Sequence, residues 1–162
     1  PTRRPSDLDG VAAANVVMEN PGLWNGATMD REYNNIAFTA VTSALRGSNG
    51  NSGALQTNYN ARGVTLFCNV TAVAGTNPTL LLAIQGLDPV SSSYSTIHAV
   101  LTLNITTTGL YVIQLYPGIN QVLGAYPASI SLALPRNWQI AWTIGGSASP
   151  SLTFSIGAQF TI

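Results

Sequence analysis

The sequence contains no lysine, a single cysteine and a single histidine among its 162 residues. Each scarcity excludes something. Cys68 has no partner in the chain, so no intrachain disulfide can form. It lies in the apolar run Val64 to Val73, where a buried, inert thiol is expected, and no cationic neighbour in sequence is placed to activate it. Only 7% of residues are charged, against about 25% in an ordinary soluble domain. Six basic and six acidic residues cancel, and no basic stripe of the kind that tracks a phosphate backbone is visible. No apolar run approaches the roughly 20 residues of a membrane-spanning helix. The start, Pro1-Thr2-Arg3-Arg4-Pro5, lacks the apolar stretch of a signal peptide. An N-terminal proline fits removal of an initiator methionine in a cytosol, and equally a trimmed chain.

What is present is distributed unevenly. Beyond Gly63 the charged side chains are Asp88 and Arg136 alone, with His98 titratable. A surface so poor in charge consists of Ser, Thr, Asn, Gln and backbone, and a free monomer of this kind tends to self-associate. It suits a permanent assembly or a neutral extracellular surface. The length fits one domain, large enough to bury roughly two-thirds of its unfolded surface without a metal or disulfide.

The chain changes character near Asn34. Residues 1–34 hold Asp7, Asp9, Glu19, Asp30, Arg31 and Glu32 together with Pro5 and Pro21. Val11 to Met18 can form one short helix, capped by Ser6 or Asp7 and stopped by Asn20-Pro21. Periodicity around it is poor, so residues 1–34 read as an extended arm; the competing reading is a disordered tail. Leu23, Trp24 and Met29 favour the arm, because disordered segments are poor in large apolar groups.

From Asn35 the pattern is short strands. Ile36 to Leu45 is rich in Ala, Thr and Val, and Arg46 to Gly53 reads as a flexible turn. Val64, Leu66, Cys68, Val70 and Ala72 alternate with Thr65, Phe67, Asn69 and Thr71. Gly75-Thr76-Asn77-Pro78 turns the chain into a strand over Thr79 to Leu87. Further strands are expected over Thr96 to Leu103, Leu110 to Tyr116 and Ser129 to Leu134. Trp138, Ile140, Trp142 and Ile144 face one way until Gly145-Gly146, and Leu152 to Ile162 alternates to the end. Strands at this spacing, with no long helix between them, predict an all-β, antiparallel, jelly-roll-like β-sandwich over 35–162. Trp138, Trp142, Phe154 and Phe160 are its expected core, each contributing on the order of 2–3 kcal/mol on burial.

Catalytic chemistry is thinly represented. His98 sits mid-strand between Ile97 and Ala99, and no cluster of His, Cys and carboxylate has metal-ligand spacing. Asp30 and Glu32 flank Arg31 and read as surface ionic contacts rather than a glycosidase pair. No phosphate-cradling glycine motif occurs. Asn69-Val70-Thr71 and Asn104-Ile105-Thr106 match the glycosylation sequon, which matters only in a secretory pathway. The expectation is a protein without catalysis and without cofactor or metal.

Five segments, in order, carry a resemblance. They are Asn58-Tyr59-Asn60-Ala61-Arg62-Gly63-Val64; Pro78-Thr79-Leu80 running to Ile84-Gln85-Gly86-Leu87-Asp88-Pro89; Tyr116-Pro117-Gly118; Leu134-Pro135-Arg136-Asn137-Trp138; and Pro150 to Ala158. Over roughly residues 54–162 the chain resembles head decoration (cement) proteins and minor virion proteins of tailed bacteriophages. Residues 1–50 fall outside the resemblance. It implies a structural protein of the virion, made in the host cytoplasm, that binds the major capsid protein on the exterior of an icosahedral head and stabilises it. It implies a homotrimer and no membrane or nucleic-acid partner. It gives Arg62, Asp88 and Arg136 structural roles first. The arm is then the expected partner-binding device, with Leu23, Trp24 and Met29 as apolar anchors and Arg3, Arg4 and Asp7 making polar contacts. Fully extended, its 34 residues reach up to roughly 110 Å. The alternatives are a tail, baseplate or receptor-binding component, or a secreted carbohydrate-binding module.

Overall fold

The structure is a computed structural model that describes residues 23–24, 29–30, 36–53, 55, 57–99, 104–123 and 125–162, with the backbone alone for 23–24, 29–30 and 98–99. Contacts divide the chain into two compact units, Pro1–Asn34 and Asn35–Ile162. In the first, β1 (Leu23–Trp24) pairs antiparallel with β2 (Met29–Asp30). The expected helix over Val11 to Met18 lies outside the described residues.

The second unit is all-β, with no helix among the described residues. Its strands are β3 (Ala37–Arg46), β4 (Gly50–Asn51), β5 (Gly63–Leu87), β6 (Tyr94–Ala99), β7 (Gly109–Leu115), β8 (Ala128–Ile130) and β9 (Trp138–Thr161). The order is β3-β9-β5-β7-β8, with β4 also on β9 and β6 also on β5. Its spine is the antiparallel pair β5–β9, which runs from Gly63 opposite Thr161 to Gly86 opposite Trp138.

This ribbon cannot be straight. Trp138 and Phe160 lie 22 positions apart on one strand, roughly 70 Å if extended, yet their ring centroids are 6.2 Å apart. Trp142 and Phe154, nearer the middle of β9, are 5.6 Å apart. The ribbon therefore doubles back where Gly75 to Pro78 faces Gly145 to Pro150. Backbone dihedrals agree: Gly75, Asn77, Gly146, Ala148 and Ser149 all have positive φ there. One half of the ribbon carries β3, β7 and β8; the other carries β4 and β6.

The period-two pattern sets what faces inward. Val64, Leu66, Cys68 and Val70 join Leu80, Leu82, Ile84, Trp138, Ile140, Leu152, Phe154 and Ile156 in a single buried cluster drawn from both halves. Trp138, Phe154 and Phe160 are core as expected, whereas Trp142 is only partly buried.

Three local expectations need correction. The stretch Arg46 to Gly53 is not wholly a turn: Gly50–Asn51 pairs with β9. The Trp142 indole lies against Gly50 so closely that a Cβ there would sit 2.7 Å from Cζ2. The two strands expected on either side of Gly75-Thr76-Asn77-Pro78 are one paired strand with a bend, because the bend residues keep pairing, Thr76 with Ser147. The sheet is also not purely antiparallel, since β7 and β8 run parallel. The reason is the connection over 116–127. It turns at Tyr116 to Gly118, passes back so that Val122 bridges Ser129 antiparallel, and reverses again before Ala128. Two reversals restore the original direction, over about the dozen residues a parallel connection needs.

Candidate functional site

Of the residues expected to engage a partner, Arg3, Arg4 and Asp7 lie outside the described residues. The backbone brings the other three together: Trp24 is the cross-strand partner of Met29, and Leu23 that of Asp30. The arm's apolar anchors thus belong to one short antiparallel pair.

A second constellation emerges at the end of the ribbon away from its bend. Asn58 is 7% exposed, and its side chain organises the approach to β5. Its Oδ1 accepts from Ala61 N at 2.8 Å, while Nδ2 donates to Ala61 O at 2.8 Å and to Leu134 O at 3.1 Å. A short amide that bonds the backbone on both sides of a turn is what Asn supplies better than other residues. Backbone bonds complete the tie: Asn58 N to Arg136 O at 2.7 Å, Leu134 N to Arg62 O at 3.1 Å, Arg62 N to Thr161 O at 2.9 Å and Leu87 N to Asn137 O at 2.9 Å. Four of the five sequence segments, scattered between Asn58 and Trp138, so meet in one place. The fifth, Pro150 to Ala158, begins at the bend and runs away from it along β9.

This end exposes two arginines over aromatic rings. The Arg62 guanidinium lies 5.3 Å from the Tyr116 ring centroid, and that of Arg136 lies 5.5 Å from the ring of Tyr59. Both arginines are exposed, and Tyr59 is 46% exposed. The chain also enters the body here, because Ile36 O accepts from Phe160 N at 2.9 Å.

The remaining charged groups of residues 35–162 are occupied locally. Arg46 donates to Thr42 O, Ala44 O and Phe154 O, and stacks over the rings of Phe154 and Trp142. Those bonds lie at the register shift between Val41 and Ala44, where the β3–β9 ladder is interrupted. Burial lowers its pKa, partly offset by Cys68. Asp88 accepts from Ser91 Oγ at 2.7 Å and from Val90 N at 3.0 Å, which holds its carboxyl below the ordinary value and closes the β5–β6 turn. Three arginines against this one carboxylate give residues 35–162 a net charge of +2. Residues 1–34 hold three arginines against five carboxylates, a net of −2.

Nucleophiles and ligands are sparse among the described residues. Cys68 is fully buried, and burial pushes its thiol up to about 12 against a partial opposing pull from Arg46. The His98 backbone pairs with Ile84 in β6. No group of three or more His, Cys, Asp or Glu comes together among the described residues. The outward faces of β3, β5, β7 and β9 carry a row of Thr39, Gly157, Phe67 and Val112, followed by Ala37, Gln159, Thr65 and Gln114. No charge interrupts these rows.

No family model matches the chain, and neither a curated protein nor a solved structure shows significant similarity to it.

The resemblance gave Arg62 and Arg136 structural roles first. The structure places both at one exposed end, each over a tyrosine. The usable signal was that each belongs to a segment rich in Asn, Tyr, Pro and Gly at the margin of a strand.

Proposed function

We propose that the protein is a non-enzymatic structural subunit of a virus particle, a cement protein that binds the exterior of an icosahedral head through the major capsid protein. The observation that carries this reading is a doubled β-ribbon around one apolar core, bearing four charged side chains over residues 35–162. We read that ribbon as a jelly-roll-like sandwich, an architecture used by viral capsid proteins and by lectins. The placement of the tryptophans favours the first of these. Trp138 is fully buried, and Trp142 is wedged between Gly50, Arg46 and Phe154, so neither offers a flat platform for a sugar.

A cement protein acts by binding energy alone, bridging neighbouring shell subunits and opposing their separation. Weak contacts suffice when many copies act together. The uncharged sheet face with Phe67 suits burial against another protein, and a closed homotrimer covers such a face without open-ended growth. The arm, with Trp24 paired to Met29, extends the contact to neighbouring subunits.

The test is co-sedimentation of the purified protein with empty heads lacking it, followed by heating. Stoichiometric binding that raises the temperature of head disruption supports the reading. Failure to bind heads, combined with binding to isolated tails or to a glycan array, replaces it with the corresponding alternative.

A further inference from the structure

We infer that the end formed by Tyr59, Arg62, Tyr116 and Arg136 docks an extended, carboxylate-rich peptide segment of the shell subunit; this deepens the cement reading and rests on it. Three observations converge. First, both guanidiniums are exposed, and neither forms an ion pair among the described residues, where Asp88 is the sole side-chain carboxylate of residues 35–162 and is held within its own turn. Second, both are organised before binding. Each lies over a tyrosine ring, and the backbones that carry them are tied together through Asn58, Leu134 and Thr161. A guanidinium held by its face keeps its N–H edge free, and that edge matches a carboxylate with two parallel hydrogen bonds. Third, Tyr59 is itself 46% exposed beside the Arg136 guanidinium, so this end offers a ring as well as the two cations.

The charge balance selects the occupant. The chain has no lysine and no net charge, and two guanidiniums are too few to follow a phosphate backbone, whose binders distribute many cations along a stripe. Two fixed forks suit two carboxylates on one extended peptide.

The experiment uses the full chain and a fluorescent twelve-residue peptide of alternating Asp, Glu and Ser, read by anisotropy. Wild type binds the peptide, and binding weakens between 50 and 300 mM salt, as an exposed ionic contact must. Arg62→Glu with Arg136→Glu weakens it at least tenfold, and Arg62→Lys with Arg136→Lys at least threefold, because lysine lacks the fork. Arg62→Gln with Arg136→Gln serves as a milder pair should the reversal disturb folding, which thermal melting reports. Absence of wild-type binding, or binding by the glutamate and glutamine pairs as tight as that of wild type, overturns the inference. Tighter binding of a single-stranded oligonucleotide than of the peptide overturns it in favour of nucleic acid. A change of oligomeric mass in the glutamate pair reassigns the surface to the acidic arm of a second copy and overturns the shell assignment. Co-sedimentation separates the two levels. If wild type and the glutamate pair bind heads equally, the docking surface is wrong and the cement reading stands. If wild type binds the peptide through these arginines yet binds no heads, the cement reading fails and the carboxylate site remains.

Discussion

Trp138 sits where the two halves of the ribbon meet, edge-on to Phe38 and Phe160 at 6.4 and 6.2 Å. It is fully buried, and its indole N–H meets no acceptor among the described residues. Trp138→Ala should therefore cost roughly 3–5 kcal/mol in denaturant titration, as large aromatic truncations in cores do. Trp138→Phe should cost only about 1–2 kcal/mol, since volume is lost but no hydrogen bond. Equal losses from the two variants would show that the indole N–H has a partner of its own. Cys68 gives a pH-dependent counterpart. Its folded pKa is raised from 9.0 to about 12 by burial, so the folded state holds the thiol proton that the unfolded chain releases. The stability this contributes is complete below pH 9 and declines as pH rises from 9 towards 12, by about 1.4 kcal/mol per unit. Burial also raises the Tyr126 phenol, so the alkaline decline has two sources. Urea titrations at pH 8, 9 and 10 should show a shallower decline for Cys68→Val than for wild type. Parallel declines would mean that the thiol ionises as readily folded as unfolded.

At the scale of elements, the bend is the part that local sequence described least well. Alternation correctly assigned inward faces on both sides of it over Val64 to Val70, Leu80 to Ile84 and Leu152 to Phe160, whose even-numbered residues are buried, whereas in Trp138 to Ile144 the pattern weakens: Gln139 is buried, and Trp142 and Ile144 are only partly so. The turn signals at Gly75 to Pro78 and Gly145-Gly146 were also legible. That the two turns pair with one another, fusing four expected strands into two, is a tertiary fact that no local window contains. The same holds for the parallel β8, whose direction depends on a second reversal in the 116–127 connection. The cost of the bend is visible at Ala148 and Ser149, consecutive non-glycine residues at φ of 54° and 56°. That conformation costs an L-residue about 1–2 kcal/mol, and Asn-Gly is the pair that adopts it most readily. Ala148→Asn with Ser149→Gly should raise stability by about 1 kcal/mol, read as a higher melting temperature. Gly146→Ala should lower it, because φ is 121° and the added Cβ would lie 2.7 Å from Asn77 O. A destabilised Asn-Gly variant would show that the native side chains of the bend make compensating contacts.

For the whole molecule, the division of charge and of structure coincide. Every strand of the β5–β9 framework lies between Ala37 and Thr161, while residues 1–34 carry five of the six carboxylates. Composition also changes near Asn34, from charged and aperiodic to sparsely charged and alternating. What the sequence did not disclose is the end that gathers Arg62 and Arg136, since hydrogen bonds between residues 58–62 and 134–137 arise only once the ribbon has doubled. The arm supplies the last prediction. Removing residues 1–34 takes away no strand of the second unit and none of its buried cluster. The truncated protein should therefore melt within a few degrees of full length, with its β-rich circular dichroism retained. If the protein attaches to heads as proposed, its binding should weaken at least tenfold, about 1.4 kcal/mol per site, because the Trp24–Met29 pair and the neighbouring polar groups would leave the proposed contact. A net loss of this size requires the apolar anchors to be buried on contact. Trp24→Ala in the full chain should then reproduce a large part of the loss. Unchanged co-sedimentation of the truncated protein would leave the arm without a role in attachment and assign the contact to the body alone. Collapse of its melting transition would instead make residues 1–34 part of what holds the strands together.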